Sequence, residues 1–159
     1  MALAARAGLF YAPPPEYTCR RPGVQIASID HIVLTVADID RTVEFYTRVL
    51  GMRKEVFGEN RIALAFGAQK FNLQDGRSKQ DIVAIAEHPT PGSVDLCLLS
   101  AVPLDAVIAH LAACEVPIAA GPVRRTGATM PLRSVYIRDP DANLIEISVR
   151  WEEEAPAAL

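Results

Sequence analysis

The sequence predicts an α+β fold built from two βαβββ modules in tandem. Three observations lead to this fold class. The order strand, helix, strand, strand, strand can be read twice along the chain, from residue 28 to 74 and again from 94 to 150. The 159 residues suit one domain with a sizeable core. Residue types able to bind a metal also fall at matched positions of the two halves, and internal duplication of this kind indicates that the modules pack as equivalents.

The first module opens with the apolar run HIVLTV (31–36), whose β-branched residues are typical of a strand. Asp38 can cap the helix that follows, and Gly51 can end it. The apolar positions of this helix have helical spacing: Ile39, Val43, Tyr46 and Leu50. Three extended segments are predicted after the helix: RKEVF (53–57), RIALAF (61–66) and KFNL (70–73).

The second module repeats this order, beginning with the strand VDLCLLS (94–100). Pro103 can start the second helix, where its missing N–H is harmless, and CEVPI ends that helix. The apolar stripe of the helix is Leu104, Val107, Ile108 and Leu111. Three extended segments complete the module: VPIAAGPV, RSVYIRD (133–139) and NLIEISV (143–149). A glycine- and proline-punctuated loop through Pro131 joins the first of them to the second.

Three further segments lie outside the modules. Residues 1–27 form an N-terminal arm with a proline triplet; it is either a variable extension or a transit peptide that sends the protein to an organelle. Residues 75–93 form a connector, in which DIVAIA makes a short strand or a helical turn. Residues 151–159 form an acidic C-terminal tail, and a single domain is expected over residues 28–150.

Composition excludes several classes of partner. A formal net charge of -3 and a pI near 5.6 leave no basic surplus for nucleic acid. No apolar run approaches the roughly 18 residues of a membrane span, so no membrane partner is expected. Cys19, Cys97 and Cys114 are odd in number and lack CxxC spacing, which favours a reducing, cytoplasmic location without disulfides.

The matched polar positions are the main functional signal. Aligning the two modules places His31 on Asp95 and Gln74 on Glu146, with the extra length of the second module taken up by the loop GPVRRTGATMP. Each residue taken alone also suits an ordinary surface or hydrogen-bonded polar side chain. Glu146 lies between Ile145 and Ile147, however, and burying a lone carboxylate is costly unless a charge opposes it.

Together the four residues predict a divalent metal site. One imidazole, one amide oxygen and two carboxylates give a formal charge of -2, and mixed nitrogen and oxygen donors suit Fe, Mn, Ni, Co or Zn. Four protein ligands leave coordination positions open for substrate. The four residues carry no local spacing signature, so this hypothesis depends on the fold bringing them together.

Several motifs then show a family resemblance. The segments DHIVLTVADIDRTVEFYTRVLGM, FGAQKFNL and RDPDANLIEIS resemble the vicinal oxygen chelate superfamily, which includes glyoxalase I, fosfomycin-resistance proteins, extradiol dioxygenases and bleomycin-binding proteins. The likeness covers about residues 28–150 and is closest to the glyoxalase domain-containing protein 5 group, through HPTPGSVDLCL, CEVPI and GPVRRTGATMPLRSVYIRDPDANLIEIS.

The resemblance implies an open eight-stranded cup around a divalent metal, often in a homodimer. The metal positions of the family map onto His31, Gln74, Asp95 and Glu146 of this chain. The group usually has histidine where Gln74 stands, although glutamine is a ligand elsewhere in the superfamily. Glyoxalase I commonly has histidine where Asp95 stands, and this departure puts that particular activity in doubt.

The implied chemistry is chelation of a small substrate through two adjacent oxygens, in a lyase, isomerase or dioxygenase reaction. Glu146 would move the proton in an isomerase. Substrate anions would be bound by side chains near the cup, for which the candidates are Lys70, Arg124 and Arg125, with His88 lining the cleft. The alternative function is metal-free binding of a small molecule, as in bleomycin-resistance proteins. RDPDAN is expected to be a turn without a catalytic role.

Overall fold

The two helices and eight strands follow the predicted order in the computed structural model of the chain, which describes residues 23–77 and 85–151. The first module contains β1 (His31–Val36), α1 (Ile39–Leu50), β2 (Arg53–Phe57), β3 (Arg61–Phe66) and β4 (Gln69–Asp75). The second module contains β5 (Asp95–Leu99), α2 (Leu104–Ala113), β6 (Ala120–Thr126), β7 (Pro131–Arg138) and β8 (Leu144–Arg150). The predicted α+β fold class with two βαβββ modules is therefore confirmed.

Each module forms its own four-stranded mixed sheet. The strand order is β1-β4-β3-β2 in the first sheet and β5-β8-β7-β6 in the second. The pairs β1–β4 and β5–β8 are parallel, whereas all other pairs are antiparallel. The two modules therefore share one topology, and the opening strand of each is an edge strand of its sheet.

One face of each sheet packs into a common core. Because successive strand residues point to opposite faces, Leu34 and Val36 of β1 enter the core, as do Ile145 and Ile147 of β8. Residues of α1 and α2 complete the same cluster. The opposite face of each sheet, called the open face below, carries His31 and Val33 in the first module and Asp95, Cys97 and Leu99 in the second.

The ends of α1 follow from local sequence. The Asp38 side chain accepts a hydrogen bond from the Arg41 amide at 3.0 Å and so caps the first turn. Gly51 ends the helix with φ of 64°, a left-handed conformation that a glycine adopts without a steric penalty. Both predicted caps are confirmed. Pro103 directly precedes α2, as its position predicted.

The extended segment VPIAAGPV is confirmed as a strand only in its second half, and the predicted loop GPVRRTGATMP begins as a continuation of that strand. Residues Ala120–Thr126 form β6, which pairs antiparallel with β7 and has a register shift between Ala120 and Val123. Gly121 and Pro122 imitate a loop signal, but proline is tolerated in an edge strand because no neighbouring strand needs its N–H. Arg124 and Arg125 consequently lie on a strand. The predicted ends of the other strands are correct to within two residues.

The predictions for the flanking segments fall largely on residues outside the described part of the chain. These residues are 1–22, 78–84 and 152–159, so they include most of the arm, of DIVAIA and of the tail. Ile85 and Ala86, the end of DIVAIA, belong to neither a helix nor a strand. No helix within residues 23–77 and 85–151 is long and apolar enough to cross a membrane.

A buried carboxylate joins the two modules. Asp139 accepts hydrogen bonds from the Tyr46 hydroxyl at 2.9 Å, from the Asp141 and Asn143 amides at 2.9 and 2.8 Å, and from the Asn143 side chain at 2.8 Å. Burial, reinforced by Asp139, raises the pKa of Tyr46 well above its usual range, so the hydroxyl stays a donor. The RDPDAN segment is thus a turn whose first aspartate holds α1.

Replacing Tyr46 with phenylalanine should destabilise the fold by about 1.5–3 kcal/mol, because it leaves a buried carboxylate short of one donor. The free energy of unfolding from urea titrations measures this effect. Tyr136→Phe is the matched control, since Tyr136 bonds to Arg125 on the open face, and it should cost less than about 1 kcal/mol. Equal losses of unfolding free energy in the two variants would show that the Tyr46–Asp139 hydrogen bond stabilises the fold no more than the Tyr136–Arg125 hydrogen bond does.

Candidate metal site

His31 begins β1 on the open face of the first module. Its Nδ1 lies 2.7 Å from the Asp30 Oδ1, and 44% of its side chain is exposed. A carboxylate accepts hydrogen bonds, so this contact places the ring proton on Nδ1 and leaves the Nε2 lone pair available. A carboxylate on the far nitrogen is the usual support of a metal-binding histidine.

The strand register determines which residues of β4 accompany His31. His31 pairs with Lys70 and Thr35 pairs with Gln74 in the parallel β1–β4 ladder. Lys70, Asn72 and Gln74 therefore all share the open face with His31. At about 3.3 Å per residue, Asn72 lies one step of roughly 7 Å along the strand from the His31 level, whereas Gln74 lies roughly 13 Å along it.

The second module places two polar residues, Asp95 and Glu146, in the same way on its first and last strands. Asp95 pairs with Leu144, and Glu146 comes two residues later on β8, opposite Cys97 and Tyr136. Asp95 and Glu146 thus share the open face of the second sheet. By strand register the counterpart of Glu146 is Asn72, two residues before Gln74, so the sequence alignment of Gln74 with Glu146 is displaced by two positions.

Asn72 has an orphaned polar atom. The residue is only 4% exposed, and its Oδ1 accepts no hydrogen bond from any described residue. Leaving a buried amide oxygen unpaired costs on the order of 1–3 kcal/mol, so such an oxygen is a candidate to bind a cation. Sequence reasoning missed Asn72, although the apolar frame of FNL (71–73) beside IEI (145–147) could have revealed the equivalence.

Hydroxyl groups beside Glu146 hold its carboxylate. Ser148 donates to the Glu146 Oε1 at 3.2 Å and lies 2.8 Å from the buried Ser134 hydroxyl. The Cys97 Sγ is 3.3 Å from the Ser148 Oγ. Burial raises the pKa of the Cys97 thiol, Glu146 and Asp95 raise it further and Ser148 opposes them. The half-buried Glu146 is therefore held by hydrogen bonds, and no cation of the described residues pairs with it directly.

Tyr136 stands across the ladder from Glu146 and is a second residue that the sequence did not single out. The Arg125 Nε donates to its hydroxyl at 2.7 Å, and the guanidinium lies 5.3 Å from the ring centre. Burial raises the pKa of Tyr136; the bond from Arg125 lowers it and the neighbouring Glu146 raises it. The phenol therefore stays protonated at neutral pH and remains a donor beside the carboxylate.

The predicted substrate-binding residues occupy different surroundings. Lys70 lies opposite His31, with its Nζ 4.2 Å from the centre of the Phe57 ring. Arg125 reaches the Glu146 neighbourhood through Tyr136. Arg124 points to the other face of β6 and stacks on Trp151 at 3.4 Å, and His88 is exposed in the connector. Lys70 and Arg125 thus lie on the open faces that carry the predicted ligands, whereas Arg124 lies on the opposite face of β6.

A single chain does not gather the predicted ligands into one cluster. Within residues 23–77 and 85–151, no three side chains among histidine, cysteine, aspartate and glutamate lie close enough to hold a metal ion. His31 and Asn72 belong to one open face, and Asp95 and Glu146 belong to the other. The chain therefore presents two half-sites of matching geometry on two separate sheets.

Comparisons with known proteins agree with this architecture. Residues 28–147 match the family model of the glyoxalase/bleomycin resistance protein/dioxygenase superfamily. Virulence protein STM3117 of Salmonella typhimurium is 50% identical over 123 residues, which cover 77% of this chain and 84% of that protein. Glyoxalase domain-containing protein RDO1 of Mycosarcoma maydis is 44% identical over 125 residues, covering 79% and 69% of the two chains.

Solved structures give the same result. The crystal structure of the Salmonella virulence protein superposes with a TM-score of 0.77 at 48% identity, covering 80% of this chain and all of that one. An integron cassette protein from the mobile metagenome of V. Cholerae superposes with a TM-score of 0.76 at 45% identity, covering 79% and 97%. The chain belongs to the glyoxalase/bleomycin resistance protein/dioxygenase superfamily.

Proposed function

We propose that this protein is a divalent-metal-dependent enzyme that acts on a small substrate through two adjacent oxygens. The observation that carries the proposal is the register equivalence of the two half-sites. His31 and Asp95 open equivalent strands, Asn72 and Glu146 follow at equivalent positions, and the Asn72 Oδ1 is buried without a partner. His31, Asp95 and Glu146 supply three ligands, and Asn72 supplies the fourth more readily than Gln74.

The site is completed across a cytoplasmic homodimer. The first module of one protomer faces the second module of its partner, so that His31 and Asn72 meet the partner's Asp95 and the partner's Glu146. Two features support this arrangement: β1 and β5 are edge strands, and Val33 on the open face of the first module is 46% exposed. Edge strands and exposed apolar side chains are features that a second copy can cover.

The donor set suits Fe, Mn, Ni, Co or Zn, which when bound would polarise the two chelating oxygens of the substrate. The side chains around it have separable tasks. Glu146, oriented by Ser148, takes or returns the proton at the substrate carbon. Tyr136 stays protonated and donates a hydrogen bond to an oxygen that gains negative charge. Lys70 binds an anionic group of the substrate at the His31 end.

The reaction class is lyase, isomerase or dioxygenase, and a substrate screen tests the enzyme proposal. Protein reconstituted with each candidate metal is assayed with dicarbonyl adducts, epoxides and catechols, beside chelator-treated protein and the Glu146→Gln variant. Turnover that requires both the metal and Glu146 is expected in one class. Turnover that survives chelation or the Glu146→Gln change would overturn the proposal. The relationship to a glyoxalase domain-containing protein also favours a place near the glyoxalase domain-containing protein 5 group.

A metal-free binding protein is the second candidate function. The observation that favours it is the separation of the two half-sites within one chain, which leaves no cluster of three ligands among the described residues. In this case the open faces of two protomers would enclose a small molecule without a metal. Saturable ligand binding that is unchanged by chelators and by His31→Ala would support this function over the enzyme.

The variants Asn72→Leu and Gln74→Leu show which of the two amide side chains binds the metal. Asn72→Leu keeps the approximate shape but removes the unpaired Oδ1, so it should stabilise the metal-free protein by about 1–3 kcal/mol while weakening metal binding. Gln74→Leu is the control, and it should leave the affinity within about twofold because Gln74 lies further along the strand. Calorimetric metal titration and thermal unfolding measure both quantities. If Gln74→Leu loses the metal and Asn72→Leu does not, Gln74 is the ligand.

A further inference from the structure

A cavity of about 720 Å³ lies between the two modules, and His31, Asp95 and Glu146 are not among its lining residues. It is bounded by the last turn of α1, the β3–β4 turn, β5 with its following loop, and α2. Small-molecule sites in proteins typically measure about 300–1,000 Å³ and are lined mainly by apolar side chains. The volume of this cavity lies within that range.

The walls of the cavity are mainly apolar. Buried Met52, Val107, Leu111 and Ile147 form its floor, and the half-exposed Leu99 and Val102 stand among its other lining residues. Among the described residues that line it, none is aspartate, glutamate, lysine or arginine. A charged ligand would lose its hydration here without gaining an ionic partner, so the walls select an uncharged one.

The polar groups of the cavity are few and mostly engaged. The Gln69 Nε2 donates to the Ile29 carbonyl at 2.8 Å, and the His110 Nε2 lies 3.1 Å from the Val49 carbonyl oxygen. The Ser100 hydroxyl is bonded to the Val102 main chain. Gln69 is exposed, and its Oε1 accepts no hydrogen bond from the described residues. This carbonyl oxygen can orient a ligand that carries a hydrogen-bond donor.

We propose that this cavity is a second small-molecule site, for an uncharged and mainly apolar molecule with one hydrogen-bond donor. The apolar lining, the lack of acidic and basic side chains among the described lining residues, and the Gln69 Oε1 acceptor together specify this chemistry. The site is separate from the proposed metal centre, because no predicted metal ligand lines it. Cys97 lines the cavity and also lies on the open face of β5, so its thiol can report occupancy.

The test uses N-phenyl-1-naphthylamine, an uncharged apolar fluorophore with one N–H donor, and the full-length protein. Saturable binding of about one probe per chain is expected, with slower alkylation of Cys97 as the probe fills the site. Chelator treatment and Glu146→Gln should leave the affinity unchanged. Unsaturable binding, or binding lost with the metal, would overturn the proposal.

Two variants on one helix locate the probe. Ala106 lines the cavity and Ala109 does not, yet both are exposed alanines of α2. Ala106→Trp should weaken probe binding at least about tenfold, and Ala109→Trp should leave it within about twofold. Val102→Trp at the cavity wall is the second filling variant in case Ala106→Trp unfolds. Equal affinity in a folded filling variant and the control would contradict the assignment.

Two other occupants are distinguished by the same titration. If only a variant lacking residues 1–22 binds the probe, the arm occupies the cavity and the small-molecule assignment is wrong. If probe binding appears only on dilution to monomer, as followed by sedimentation, a second copy covers the cavity and the assignment is likewise wrong. Equal binding by full-length and shortened chains at all protein concentrations is the result expected of a ligand site.

Discussion

Replacing Glu146 with glutamine is expected to lower divalent metal affinity by at least about 100-fold, since even the loss of a supporting residue outside the ligand set typically costs 10–100-fold. The amide is nearly isosteric with the carboxylate but removes one of the two negative charges of the proposed site. Ser148 can still donate to the remaining carbonyl oxygen, so the fold should persist. Isothermal titration with Ni, Zn and Mn measures the affinity.

The control for this experiment is Glu44→Gln, an exposed residue of α1 outside the half-sites. It removes the same charge from the protein and should leave affinity within about twofold, which isolates the local contribution of Glu146 from net charge. Unfolding free energies of both variants should stay within about 0.5 kcal/mol of the unchanged protein. Undiminished metal affinity in Glu146→Gln would remove Glu146 from the ligand set.

Chains damaged in different modules are expected to complement each other. A His31→Ala chain and a Glu146→Gln chain should each fail to bind metal as homodimers. In their heterodimer, the intact first module of one chain faces the intact second module of the other, so about half of the normal metal content should return. Two affinity tags isolate the heterodimer, and elemental mass spectrometry measures its metal content.

The matched control pairs an Asp95→Ala chain with the Glu146→Gln chain. Both lesions then lie in the second module, and every site of the heterodimer is damaged, so no metal should return. If the first heterodimer is as empty as this control although it forms a dimer, each site belongs to one chain. A protein that stays monomeric at all concentrations would contradict the shared site as well.

The sequence was sufficient for element order and helix ends because these depend on local patterns. Asp38 and Gly51 act on neighbouring backbone groups, and the apolar spacing of α1 is visible within one short stretch. The position of β6 was misplaced for the opposite reason. Its Gly121 and Pro122 carry a local loop signal that pairing with β7 overrides, and pairing depends on residues distant in the sequence.

The candidate site likewise contains residues that local patterns reveal and one residue that only strand pairing reveals. His31, Asp95 and Glu146 stood out as polar residues at recurring positions of apolar strands. Asn72 did not, because its equivalence to Glu146 follows from strand register, and β4 continues past the predicted end to Asp75. Sequence patterns also do not predict whether the two half-sites come together. That depends on how two sheets face each other, either within one chain or between two chains.

Metal content of the full-length protein, purified without chelators or added metal, tests the central claim most directly. Elemental mass spectrometry should find close to one divalent transition metal per chain, because a homodimer with two shared sites has one site for each chain. Protein that contains no such metal, and that takes up none when Fe, Mn, Ni, Co and Zn are each supplied, would contradict the metalloenzyme and leave the metal-free binding protein in its place.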